Sequence, residues 1–310
     1  MRRLSTFLIM LILLSASACY ASNADDKFRA ENRGSIFHPD KSGDEELQAL
    51  IAEYVPKFTL HTYSDDVSGL TLQYNIYLPD GYSTEKKYPA VFFIADGSSA
   101  GKLPEYSLTQ GLGGLVWCRN NCVVIVPAYP SIVLDDHNGF VESEYVELTA
   151  RFVDYAMKNY GVDGNRVYAT GQSMGCMTWL VLASRYPEMF TAFMFVSGQW
   201  DISTLKGLKG QKFVYAASAG DQKASKGQQE VMDMFRADGV PYVSYMNIDA
   251  KKTGIIIPNG QPQSFVMFRE KSTLPEDTKG NYSEHMTSFD YAYRIKALSE
   301  WLLAQTKEAK

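Results

Sequence analysis

No run of lysine or arginine longer than two residues occurs in the chain, and its formal charge is negative, −5 over 310 residues. Both features argue against a nucleic-acid partner, whose phosphates call for a clustered positive surface. Internal repeats, low-complexity tracts and long Pro/Ser linkers are missing too, so a single domain is the simplest organisation. Cysteine is scarce, with four in all. Cys118 and Cys122 form a Cys-Arg-Asn-Asn-Cys pair, but no second Cys or His pair at ligand spacing accompanies them, which argues against a metal centre. Histidine is equally scarce: His38, His61, His137 and His285 are the full set. No apolar run is long enough for a bilayer span.

What is present suits a globular protein with a sizeable core, at 45% hydrophobic and 21% charged residues. Residues 1–22 read as a signal peptide: Arg2 and Arg3 form a basic n-region, Phe7 to Leu14 an apolar run, and small residues follow. Export, periplasmic or extracellular, is therefore expected. Ala16-Ser17-Ala18-Cys19 also resembles a loose lipoprotein cleavage site with Cys19 as lipid acceptor, a reading ranked below simple export. An exported chain permits disulfides, and Cys118 and Cys122 are close enough in sequence to close a small loop. Cys176 reads as a core residue, inert by burial.

Residues 23–56 form an N-terminal segment, polar at first, then a short helix over "GDEELQALIAEYV" with Asp44 able to cap it. The runs "FTLHTY" and "LTLQYNIYLPDGY" alternate as half-exposed antiparallel edge strands. "YPAVFFIADG" and "CVVIVPAYP" are continuous apolar runs of the kind buried on both faces of a sheet. "SEYVELTARFVDYAMKNY" places Tyr145, Leu148, Phe152, Tyr155 and Ala156 at helical spacing, with Gly161 to stop it. After residue 185 come three strand candidates, "TAFMFVSG", "QKFVYAASAGD" and "PYVSYMNID". The stretch 252–277 reads as a hairpin around "PNGQ", either roofing a site or a surface excursion, and "SFDYAYRIKALSEWLLAQ" reads as a final helix. The alternation predicts an α/β fold: a mostly parallel central sheet with antiparallel N-terminal strands and helices on both faces.

The most informative stretch is "RVYATGQSMGCMTWLVLASRYP", from Arg166 to Pro187. A β-rich run leads into Gly171-Gln172-Ser173-Met174-Gly175, and an apolar helix follows. That strand–turn–helix setting marks a nucleophile elbow, where a strained serine projects above the sheet and glycines permit close approach of strand and helix. A chance Gly-x-Ser-x-Gly in a turn is the competing reading, and the setting weighs against it.

With "YNIYLPDGY", "YPAVFFIADGSSAG", "YGVDGNRVYATGQSMG", "SAGDQKASKG" and "EHMTSFDYAYRIKALSEWL", the chain resembles α/β-hydrolases. The similar group is the secreted esterases and polyhydroxybutyrate-depolymerase-like proteins, which overlap with prolyl-oligopeptidase-type catalytic domains. The resemblance covers about residues 58 to 306, within a catalytic domain spanning 57–310. It implies a Ser, acid, His order along the chain. Ser173 is then the nucleophile. His285 is the base, since it alone among the histidines follows both the elbow and the last expected strand, in a loop ahead of the final helix. Asp221 leads as the acid over Asp201. Family members usually show His-Gly after the strand "VFFIA", where this chain has Asp96-Gly97. The implied oxyanion donors are the backbone N–H groups of Met174 and Ser98, with the Asp96 carboxylate an anomaly beside them. Gln172 and Trp200 are candidate substrate contacts; a buried core aromatic is an equal reading of Trp200. No metal or organic cofactor is required. The expected substrate is a small or polymer-borne ester, and oligomeric state is left open. Two readings compete with ester hydrolysis: a serine peptidase of prolyl-oligopeptidase type, and a non-catalytic binding protein on the same fold. The peptidase type usually carries a further domain restricting access, and no insertion of that length interrupts this chain.

Overall fold

Among the described residues a nine-stranded sheet organises the chain, its strands lying side by side in the order Thr59–Ser64, Thr71–Tyr77, Val123–Ala128, Tyr88–Ile94, Val162–Gln172, Ala192–Val196, Phe213–Ser218, Gln263–Phe268 and Val243–Ile248. The computed structural model describes residues 39–137, 139–252, 254, 261–276 and 282–307. The expected signal peptide, Cys19 and His38 lie outside the described residues, as does most of the "PNGQ" stretch. The strands are β1 (Thr59–Ser64), β2 (Thr71–Tyr77), β3 (Tyr88–Ile94), β4 (Val123–Ala128), β7 (Val162–Gln172), β8 (Ala192–Val196), β9 (Phe213–Ser218), β10 (Val243–Ile248) and β11 (Gln263–Phe268). A separate two-stranded ribbon pairs β5 (Leu134–Asp135) with β6 (Val141–Glu142). The helices are α1 (Glu45–Tyr54), α2 (Tyr106–Thr109), α3 (Tyr145–Asn159), α4 (Met174–Arg185), α5 (Gln222–Ala237), α6 (Glu284–Arg294) and α7 (Lys296–Ala304).

Within the nine-stranded sheet, β1 pairs antiparallel with β2, and β2 antiparallel with β4; every other pairing there is parallel. The expected mixed sheet is therefore present. The burial of each strand follows its composition. Strand β8 is buried at every position, as a continuous apolar run covered on both faces should be, and β9 and β11 are buried throughout as well, the polar Ser218, Gln263 and Ser264 included. In β3, Ala90, Phe92 and Ile94 join one core cluster while Val91, Phe93 and Ala95 just beyond it join the other, the period-two alternation of a strand between two helical layers. Apolar residues of α3, α4 and α5 fill the first cluster, and those of α1, α6 and α7 the second.

Three local expectations need correcting. Strand β1 is not half-buried: five of its six residues are exposed and Tyr63 is intermediate, because at this outermost position Tyr63 alone among its side chains packs against the apolar core. The segment 252–277 is not simply an excursion. Its later part, Gln263–Phe268, is a central strand between β9 and β10, and β10 becomes the edge. All six residues of β11 are buried, and Gln263 satisfies its amide nitrogen on the carbonyls of Lys209 and Gln211. The final helix is two helices, broken at Ile295, whose backbone is extended (φ −74°, ψ 97°). An unbroken helix would continue the buried stripe Phe289, Ala292, Tyr293 onto Lys296, by spacings of seven, four and three. The break re-phases the stripe onto Leu298, Trp301 and Leu302 and leaves Lys296 in solvent.

The chain winds from β3 to β4 on one side of the sheet and returns through β7 to β8 on the other. The crevice between the carboxyl ends of β3 and β7 is thus a topological switch point, where open α/β sheets place their sites.

Candidate active site

Strand β7 ends at Gln172, and α4 begins at Met174. Ser173 alone makes the turn, with φ 51° and ψ −117°, a conformation costing a non-glycine residue of the order of 1–3 kcal/mol. The flanking glycines make that turn possible. A Cβ on Gly175 would lie 1.9 Å from the Ile94 carbonyl oxygen, and one on Gly171 would lie 2.6 Å from the Gly175 carbonyl carbon. Backbone, not a flexible side chain, fills both spaces.

Two other elements converge on this hydroxyl. His285 is the second residue of α6, in the first helical turn and not in a loop, with its own N–H donated to the capping Ser283 Oγ. Its Nε2 lies 2.8 Å from Ser173 Oγ, and its Nδ1 lies 2.6 Å from Asp221 Oδ2. With the ring proton on Nδ1, donated to the carboxylate, Nε2 is left to accept the serine hydroxyl. Asp221 is buried at the carboxyl end of β9, and its other oxygen accepts the Ala224 N–H as the N-cap of α5. The helix thus orients the carboxylate. The alternative acid, Asp201, instead caps a short turn through Ser203 N–H.

Burial pulls the His285 pKa down. The hydrogen bond and charge of Asp221, joined by the charges of Asp96 and Asp136, outweigh it and leave the imidazole above its ordinary value. The edge of Phe289 packs against the ring, with centroids 5.1 Å apart. Ser173, His285 and Asp221 thus form one hydrogen-bonded chain, able to raise the nucleophilicity of the hydroxyl and to hold the imidazolium that results.

Other expected contacts fall differently. The Ser98 N–H does not face an oxyanion site: it is donated to Asp96 Oδ1 at 3.0 Å. Asp96 directly precedes a 3-10 turn and caps it, which commits that donor. The Met174 N–H does lie in the first turn of α4, next to Ser173. Gln172 is buried and is not a pocket wall; its Nε2 donates to Asp96 Oδ2 at 2.9 Å. Trp200 is 2% exposed and packs in the core, capped by the half-exposed Phe140 of the β5–β6 ribbon at 5.0 Å. Cys118 and Cys122 are free and buried, and burial raises both thiol pKa values, that of Cys122 to about 12. Cys176 is fully buried with its thiol likewise raised, so it is no competing nucleophile.

Two contributors carried no signal in the sequence. Glu284, beside His285, is a buried carboxylate that accepts Ser218 Oγ at 2.6 Å and the Lys271 N–H at 2.8 Å, joining the ends of β9 and β11 to α6. Asp136, on the ribbon, is bonded to Gln199 Nε2 and, at 2.9 Å, to Lys223 Nζ. Among the described residues, Asp135, Asp136 and His137 alone have metal-like spacing, but the Lys223 ammonium already sits on Asp136, and the group reads as an ion-pair network. His61 is exposed on β1, bonded to Thr59.

The Esterase family model matches residues 68–267. Acetylxylan esterase A of Aspergillus ficuum is 26% identical over 181 residues, covering 53% of this chain and 52% of that protein. Feruloyl esterase B of Talaromyces stipitatus is 34% identical over 92 residues, covering 30% and 24% respectively. The chain thus spans about half or less of the length of these curated relatives. A crystal structure of a thermostable esterase superposes with a TM-score of 0.66 at 18% identity, over 82% of this chain and 64% of that one, a likeness of α/β-hydrolase fold.

Proposed function

Because this chain belongs to the Esterase family, we propose that it is a serine hydrolase cleaving carboxylic esters through an acyl-enzyme. Ser173 attacks the ester carbonyl while His285 Nε2 takes its proton. Asp221 holds the imidazole in the productive tautomer and stabilises the imidazolium. The Met174 N–H, at the start of α4, donates to the developing oxyanion. His285 then returns its proton to the leaving alcohol, and water activated by the same base releases the acid and restores Ser173. The observation that carries this reading is the continuous chain Ser173 Oγ, His285 Nε2, His285 Nδ1, Asp221 Oδ2, with the serine held at φ 51°.

No step calls for a metal or organic cofactor. Relatives named for acetylxylan and feruloyl esters support an acyl group carried on a polysaccharide or its fragments. The reading also includes export directed by residues 1–22, with residues 57–310 as the catalytic domain. Among the described residues no helix is long and apolar enough to cross a membrane.

Hydrolysis of short-chain p-nitrophenyl esters is measured beside that of aminoacyl p-nitroanilides, for the chain and its Ser173→Ala variant. Ester turnover falling by at least about 10⁴-fold in the variant is expected. Turnover of the anilides alone would replace the esterase reading with the peptidase one, and turnover of neither would favour a binding protein on this fold.

A further inference from the structure

Asp96 stands where β3 leaves the sheet, on the loop facing the elbow, and is 3% exposed. A carboxylate so buried is costly unless its oxygens are occupied. Here Oδ1 accepts the Ser98 N–H at 3.0 Å and the Ser98 hydroxyl at 2.5 Å, and Oδ2 accepts Gln172 Nε2 at 2.9 Å. Gln172 immediately precedes Ser173, and Ile94 pairs with Gly171 in the β3–β7 ladder. The contact therefore bridges the crevice one step above the last paired residues and ties the loop after β3 to the nucleophile's own strand. The cost is visible in Gln172, whose Oε1 is left buried with no hydrogen-bond partner among the described residues. Buried groups left unsatisfied in this way call for a reason.

The charge also acts at a distance. Three carboxylates act on His285: Asp221 in direct contact, Asp96 from the β3 loop and Asp136 from the ribbon, the last partly neutralised by Lys223. Tyr106 also feels Asp96. A negative charge beside an oxyanion opposes acyl transfer, but the same charge favours the imidazolium that forms in the same step.

We propose that Asp96 is a positioning residue of this site, latching the loop after β3 to the nucleophile strand through Gln172 and favouring the imidazolium of His285 by its charge. The inference rests on the esterase reading and extends it to Asp96, whose bonds to Ser98 and Gln172 that reading does not use.

The test is the pH dependence of kcat/KM for a p-nitrophenyl ester in the full chain, in Asp96→Asn and in Gln172→Met. Asparagine keeps an acceptor for Ser98, and the Gln172 amide turns over to accept from it, so Asp96→Asn removes charge without removing the latch. Its acid limb is expected to move to lower pH, by about half a pH unit or more. Gln172→Met breaks the latch and keeps the charge: the acid limb stays, while kcat falls by about tenfold with KM little changed. An acid limb unmoved in Asp96→Asn, or a wild-type kcat in Gln172→Met, overturns the proposal. Should Asp96→Asn fail to fold, Asp96→Ser gives the same charge test with another good capping residue. If the wild-type chain hydrolyses no ester, the esterase reading has failed. The Asp96 claim is then read from the NMR titration of His285, whose midpoint must still fall in Asp96→Asn.

Discussion

His285 shows how much a single side chain can depend on its setting. Its imidazole is held above its ordinary pKa by carboxylates that outweigh its burial. A base works in its neutral form, so activity should rise with pH through that elevated value. The acid limb of kcat/KM is expected above about pH 6.5, the unperturbed histidine value; a limb below it would mean that burial, not Asp221, governs the ring. Asp221 has two roles, one per oxygen: Oδ2 faces the ring and Oδ1 caps α5. Asp221→Asn retains the cap but loses the tautomer control. It should cost kcat about 10³-fold or more while shifting the melting temperature by only a few degrees, a split that activity and thermal melts measure together. That Ser173, Asp221 and His285 would meet was legible in the sequence, because an elbow announces itself and few histidines compete. The Ser98 donor was misread because capping by Asp96 depends on where a carboxylate turns, which no spacing records.

At the scale of elements, the elbow is a collision avoided. Strand β7 and helix α4 meet so closely at Gly175 that a methyl group would fall inside the Ile94 carbonyl. Gly175→Ala should therefore destabilise the fold by about 3 kcal/mol or more, a drop of roughly 5–10 °C in a melt, and abolish activity; an unchanged melt would contradict this account of the turn. Glu284 does the converse, joining α6 to the ends of β9 and β11 through Ser218 and Lys271, so that His285 and Asp221 arrive on elements fastened to each other. The strand–turn–helix unit was legible because its periodicities change abruptly. Strand β11 was not, because a short apolar run beside a turn signal looks alike as the return leg of a hairpin and as a buried parallel strand. The break at Ile295 was written in the sequence, in the placement of Lys296, but both halves are strong helix formers and the shift of phase is small.

For the molecule as a whole, the sheet serves to bring distant segments of chain to one crevice. Residues 96, 173, 221 and 285 come from four different strand or helix ends, and the reversal of winding between β3 and β7 opens the gap in which they meet. The fold class followed from alternating strand and helix patterns, whereas the packing over the site did not: the β5–β6 ribbon that brings Asp136 and Phe140 beside Gln199 and Trp200 is two residues per strand, too short for any periodicity. The central claim is that Ser173 is the nucleophile of an acyl-transfer reaction, and covalent trapping tests it most directly. The full chain is incubated with an alkyl fluorophosphonate, and the adduct is located by mass spectrometry of the digest. The expected result is one adduct on Ser173, absent from Ser173→Ala and strongly slowed in His285→Ala. An adduct on another residue, or ester turnover that persists with Ser173 unlabelled, would contradict it.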